Sequence, residues 1–284
     1  MSNLLLIAIP LSLVLAYYLL KKRLKFLLFF LLALGLVTGF FMKTKEVENS
    51  MNLLRHWIKE PVSKTYSYSI EEFRELPIIK IQKHVLLDEP TISQYPELPR
   101  GCEVTSLAML LQSADIKVDK LTLAKKIKKN PTPYKVEKGK TYYGHPNEGF
   151  VGSMYTYKER GLGVYHEPIR QLAESYLPGR IKDFTGSDFQ EIKIHLSDNR
   201  PVWVITNTRY QKLPADAFIT WQTPKGEIQV TYREHSVLLT GYDKEYIYFN
   251  DPLTGEKNKK APLKDFEESW VQMGRQAITY LPNN

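Results

Sequence analysis

Cys102 is the only cysteine among 284 residues, so no internal disulfide can form and the thiol is either buried or used. It stands in YPELPRGCEVTSLAMLL, residues 95–111, directly after Pro-Arg-Gly and directly before an apolar run. A thiolate attacks carbonyl carbon well once a base and a group that orients the base accompany it. Three residues qualify as partners: His235 as the base, Asp251 as the orienting carboxylate, and Gln94 as a donor to an oxyanion.

Spacing identifies the elements that must position them. Val104, Leu107, Ala108 and Leu111 follow the i, i+3, i+4, i+7 pattern of one helix face, with Thr105, Ser106 and Gln112 on other faces. Pro96, Pro99 and Gly101 prevent this helix from running further back. It therefore starts at or next to Cys102. Unpaired N–H groups and the helix dipole favour negative charge there, which lowers a thiol's pKa, and the same N–H groups can hold an oxyanion. A cysteine simply buried in the core is the alternative, and the helix-start position after a glycine weighs against it.

Six histidines compete for the role of base. His56 falls in a linker and His84 precedes the main domain. His195, in EIKIHLSDN, belongs to a helix whose charge pattern predicts exposure. His145 and His166 sit in loops rich in Gly and Pro, where loop hydrogen bonding is their expected role. His235 opens EHSVLLTGYDKEYIYFNDPLTG, which reads as two strands, about 236–241 and 246–250, joined by a turn at YDKE. Folding that hairpin about residue 243 or 244 sets His235 opposite Asp251, and facing residues have Cβ atoms roughly 4.5–5.5 Å apart. A surface histidine at a strand end and an ordinary Asp-Pro turn are the plain alternatives. Gln94 lies eight residues before Cys102, within side-chain reach of the helix start; a surface glutamine is the plain reading there. The scattered histidines, with no Cys pair and no H-E-x-x-H, point to no metal, and no cofactor motif is present.

These blocks together resemble the C39-like peptidase family, a bacterial branch of the papain-like cysteine peptidases. The resemblance runs in order through QYPELPRGCEVTSLAMLL, NEGFVGSMY, GLGVYHEPI, RPVWVITN, EHSVLLTGYD and FNDPLTG, over roughly residues 86–280. It implies an α+β papain-like fold: a helical half carrying the nucleophile, a twisted antiparallel sheet carrying the base, and a cleft between them. It also implies Cys102 as nucleophile, His235 as general base, Asp251 as orienter and Gln94 as second oxyanion donor. The bacteriocin-processing relatives have Cys-Gly after a shorter Gln–Cys interval. Here Glu103 follows the cysteine, so the resemblance does not extend to double-glycine specificity. The expected activity is hydrolysis of a peptide or amide bond in a peptide or protein substrate through a thioester. An amidase or acyltransferase with the same residues, and a binding module without turnover, are the rivals.

The chain's beginning differs in kind. Residues 4–20 and 26–42 are apolar runs of 17 residues flanking KKRLK. They predict a transmembrane hairpin that contacts lipid, its basic loop cytoplasmic and all that follows outside the cell membrane. A cleaved signal peptide fits less well, because MSN is no basic n-region and a second apolar run follows; a single interrupted span is a further reading. Residues 46–85 read as a linker or N-terminal extension and 86–284 as one domain. The net charge of +8 is spread over runs such as KKIKKN without a nucleic-acid motif, so no nucleic-acid partner is expected.

Overall fold

The computed structural model describes residues 21, 22, 25 and 80–282. The chain divides into two units, Met1–Leu76 and Pro77–Asn284. Both expected membrane spans and most of the expected linker lie outside the described residues. Among the described residues no helix is long and apolar enough to cross a membrane.

The second unit is a mixed α/β fold. In chain order its elements are β1 (Val85–Leu86), α1 (Cys102–Ser113), α2 (Lys120–Lys126), β2 (Lys129–Asn130), β3 (Lys135–Glu137), β4 (Lys140–Tyr142) and β5 (Phe150–Val151). There follow α3 (His166–Glu174), β6 (Ile181–Asp183), α4 (Phe189–Ser197), β7 (Val202–Asn207), β8 (Ile219–Thr223) and β9 (Gly226–Val230). The last are β10 (Glu234–Tyr242), β11 (Tyr246–Asp251), β12 (Glu256–Pro262), α5 (Leu263–Gln272) and β13 (Ala277–Tyr280). The main sheet runs β12-β11-β10-β7-β13-β6, with β1 added against β10, and every pairing in it is antiparallel. A four-stranded sheet, β3-β4-β8-β9, packs its own small core of Tyr143, Val151, Leu162, Trp221 and Val230.

The central strands explain the layering. All residues of β7 and β10 are buried, so both faces of the sheet are covered. Alternation sends Trp203, Ile205, Leu238 and Ile278 to one side, where α1, α2 and α3 pack. Val202, Val204, Val237, Leu239 and Ala277 face the other side and meet Phe189, Ile192 and Leu196 of α4 with Phe266 and Trp270 of α5. Helices thus lie on both faces, rather than in a separate half.

Helix α1 begins at Cys102, as the prolines and glycine dictate. A Cβ at Gly101 would stand 2.5 Å from Cβ of Leu98, so only glycine permits this tight entry. The helix differs from a one-sided amphipathic one: residues 102–111 are buried all round, Thr105 and Ser106 included. Thr105 donates its hydroxyl to the Gly101 carbonyl at 2.6 Å, which lets a polar side chain sit in the interior. Trp203 Nε1 donates to the Glu103 carbonyl at 3.0 Å and ties the first turn to β7. His195, expected to be exposed, is buried against Phe184, because α4 turns that side chain toward the core.

The β10–β11 hairpin forms with its turn at 243–245, but its register differs from the expected one. Leu238 faces Asn250 and Leu239 faces Phe249, and a bulge then sets Gly241 against Tyr248. Extended three residues, that register would place His235 against Leu253, not Asp251. The bulge adds a residue to β10 that no count from the turn can anticipate.

Candidate active site

Cys102 sits at the first turn of α1, 7% exposed, and opens onto a cavity of about 330 Å³. Gln94, Tyr157, Tyr232, Glu234 and His235 also line this cavity. A larger depression of about 720 Å³ beside α2 holds neither a cysteine nor a histidine. The Cys102 thiol donates to Glu103 Oε2 at 3.4 Å. Burial first, then the carboxylates of Glu103 and Glu234, pushes the thiol's pKa well up. The helix start was expected to lower it. Desolvation and two acidic neighbours outweigh the dipole, and the resting group is a neutral thiol.

His235, at the start of β10, places Nε2 2.8 Å from Asp251 Oδ1. The two occupy diagonal positions on one sheet face, a separation of roughly 7–8 Å that an imidazole bridges. Asp251 is fully buried and richly bonded. Tyr210 donates its hydroxyl to Oδ2 at 2.8 Å, Lys259 Nζ donates to Oδ2 at 2.7 Å, and the Leu253 N–H donates to Oδ1 at 2.9 Å. Burial alone would raise this carboxyl's pKa. The hydrogen bond and charge of His235, then the hydrogen bonds from Lys259 and Tyr210, outweigh burial and hold it well below the usual carboxylate range. An ionised carboxylate only accepts hydrogen bonds, so Nε2 is the donor to Oδ1, which leaves Nδ1 as the ring nitrogen available to exchange a proton.

Gln94 is buried, and its Nε2 donates to the Pro99 carbonyl at 2.7 Å. Its backbone N–H donates to the Pro252 carbonyl at 2.8 Å, which fastens the segment before α1 to the residue after Asp251. The second N–H of the amide remains for the cavity. The other loop histidines stand elsewhere. His145 Nδ1 accepts from the Asn147 N–H at 3.1 Å, and His166 Nδ1 lies 2.6 Å from Asp183 Oδ2.

Two acidic residues escaped the sequence reading. Glu103 is fully buried; its Oε1 accepts the Val164 N–H at 2.6 Å, and burial pushes its pKa up to about 7. Glu234 is 9% exposed, its Oε1 has no hydrogen-bond partner, and burial followed by Glu103 pushes its pKa well up. The signal was an acid next to the cysteine in an otherwise apolar stretch, and another next to the histidine at the start of a buried strand. Tyr210 and Lys259 left no local signal. The ligand-type atoms of Cys102, Glu103 and Glu234 lie within 4.8 Å of one another, as do those of His166, Glu167 and Asp183.

A buried histidine–carboxylate pair whose ring lines the same cavity as a helix-start cysteine brings together the residue types that a thiol hydrolase needs. The chain belongs to the Peptidase_C39 like family, whose model matches residues 86–278. It is 46% identical over 183 residues to the uncharacterised protein YvpB of Bacillus subtilis (strain 168), an overlap of 64% of this chain and 70% of that protein. A crystal structure of a Bacillus anthracis protein assigned to the C39-like peptidases is 47% identical, with a TM-score of 0.66, covering 72% of this chain and 100% of that one.

Proposed function

We propose that this chain is a cysteine peptidase of papain-like architecture that cleaves a peptide or amide bond through Cys102, His235 and Asp251. The observation that carries the reading is the 2.8 Å bond from His235 Nε2 to a saturated, ionised Asp251, in a ring that shares one cavity with the Cys102 thiol. Family membership supports it as well.

In this mechanism the thiol proton passes to His235 Nδ1 as Sγ attacks the substrate carbonyl. The Cys102 N–H, at the unpaired start of α1, and the second N–H of Gln94 hold the oxyanion. His235 then gives its proton to the departing amine, and the C–N bond breaks to leave a thioester. Water, deprotonated by Nδ1, attacks the thioester and releases the acid and the thiol. The test is a peptide library incubated with the full chain. New N-termini should appear and vanish in Cys102→Ala and His235→Ala; a product carrying a transferred acyl group would instead identify an acyltransferase.

The raised pKa of Cys102 favours a second reading, a binding module that does not turn over. No cleavage of any library member, together with iodoacetamide labelling that does not change in His235→Ala, would establish it. Residues 4–20 and 26–42 serve in our proposal as a membrane anchor that leaves this domain outside the cell. Cysteine-scanning accessibility of the KKRLK loop in intact cells tests that topology.

A further inference from the structure

The acidic pair beside the sulfur has no part in the chemistry above and works against it, because each carboxylate opposes formation of the thiolate. We propose that Glu234, backed by Glu103, is a subsite for a cationic group of the ligand, a primary ammonium or a guanidinium bound next to the carbonyl that Cys102 attacks. The word substrate here rests on the peptidase reading; the subsite itself is a property of the cavity.

Four observations converge. Glu234 shares with Leu238 the face of β10 that meets α1, and it lines the Cys102 cavity. Its Oε1 is a buried acceptor without a donor, a state that costs free energy unless a ligand supplies one. Glu103 has both oxygens engaged, by the Val164 N–H and by the thiol, so it contributes charge rather than a free ligand atom, which argues for an organic cation over a metal ion. Among the described residues no cation forms an ion pair with either acid. Lys129 Nζ donates to the Ala124 carbonyl at 3.0 Å and acts on Glu103 only through its charge, and Arg100, which lines the same cavity, commits its guanidinium to the carbonyls of Ser153 and Thr156.

The walls suit such a guest. Tyr232 borders the cavity and is 60% exposed, offering aromatic surface to an alkyl stem and its charge, whereas the Tyr157 ring already carries the Arg100 guanidinium 4.8 Å from its centroid. Gly163 makes the pair possible: a Cβ there would lie 2.2 Å from Glu103 Oε1 and 2.8 Å from Glu234 Oε2. Two buried carboxyls with oxygens within 4.8 Å of one another oppose each other's ionisation. An entering cation removes that restriction and at the same time relieves the opposition to the thiolate. One ligand group thereby binds and activates.

The test uses the full chain, whose single thiol makes labelling unambiguous. Rates of Cys102 modification are measured at pH 7 with three methanethiosulfonates bearing an ammonium, a sulfonate or a neutral methyl head. In each case the thiolate takes the sulfenyl sulfur, forming a mixed disulfide and releasing methanesulfinate. The net charge of +8 favours the sulfonate from a distance, so a preference for ammonium must arise locally. We expect an ammonium-to-sulfonate rate ratio at least about tenfold above that of free cysteine, falling to within about threefold of it in Glu234→Gln and retained in Glu234→Asp. A wild-type ratio equal to that of free cysteine, or an unchanged ratio in Glu234→Gln, overturns the proposal. Should circular dichroism show Glu234→Gln unfolded, Glu103→Gln replaces it with the same criterion. Labelling requires no turnover, so a failed peptide library leaves this result standing, and a working peptidase with no head-group preference refutes the subsite alone.

Discussion

His235 and Asp251 are joined through Nε2 and Oδ1 at 2.8 Å, although the hairpin that carries them sets them on diagonal rather than facing positions. The length of the imidazole makes up the difference. Tyr210, Lys259 and the Leu253 N–H then fix the carboxylate from other sides, so the ring has one orientation and one proton position.

Asp251→Asn should therefore be a defect of tautomer as much as of charge. We expect kcat to fall by about 10²–10⁴ while substrate binding is largely kept. The same change strands Lys259 and lowers stability by roughly 1–3 kcal/mol. Steady-state kinetics and thermal melts of one preparation measure both.

The thiol should titrate late. In ligand-free protein the iodoacetamide labelling rate is expected to rise with a midpoint above that of a free thiol, about 8.5. Removing an acidic neighbour removes a cause of the shift, so Glu103→Gln should move the midpoint down. A midpoint below 8.5 in the unsubstituted chain would contradict the geometry around the sulfur.

Gln94→Ala should slow turnover about 10²–10³-fold through loss of an oxyanion donor. Because the amide also holds the Pro99 carbonyl, a loss of about 1 kcal/mol in stability accompanies it. A rate within twofold of that of the unsubstituted chain would remove Gln94 from the proposed site.

His195 predicts a specific acid sensitivity. Burial, then the nearby charges of Arg200 and Lys182, lowers its pKa from the ordinary 6.5 to about 4. The folded state thus holds the proton less tightly than the unfolded state. Its contribution is complete above pH 6.5 and is lost as pH falls toward 4. In His195→Phe the decline in melting temperature between pH 7 and pH 5 should be shallower than in the unsubstituted chain.

Gly241 allows β1 to lie against β10. A Cβ there would stand 2.1 Å from the Val85 carbonyl oxygen. Gly241→Ala should displace β1 and cost about 1–3 kcal/mol, read as a lower urea midpoint with faster amide exchange at Leu87, whose N–H donates to the Thr240 carbonyl.

Cys102, His235, Asp251 and Gln94 were legible one at a time, whereas Glu103, Glu234, Tyr210 and Lys259 were not. A cysteine after Pro-Arg-Gly has to open a helix, because those residues end helical geometry. A histidine and an aspartate flanking two apolar strands have to approach, because a hairpin brings its ends together. Local backbone rules, read along the chain, were enough for both conclusions. Whether Thr105, Ser106 and His195 are buried, which register the hairpin takes past its bulge, and whether the thiol is acidic were not legible in this way. Each depends on groups distant in sequence: Trp203 and Leu238 closing over α1, Val85 pressing on Gly241, and Glu234 meeting Glu103 across Gly163. Desolvation and charge act through space, so the tertiary structure alone decided the state of the sulfur that the sequence had already located.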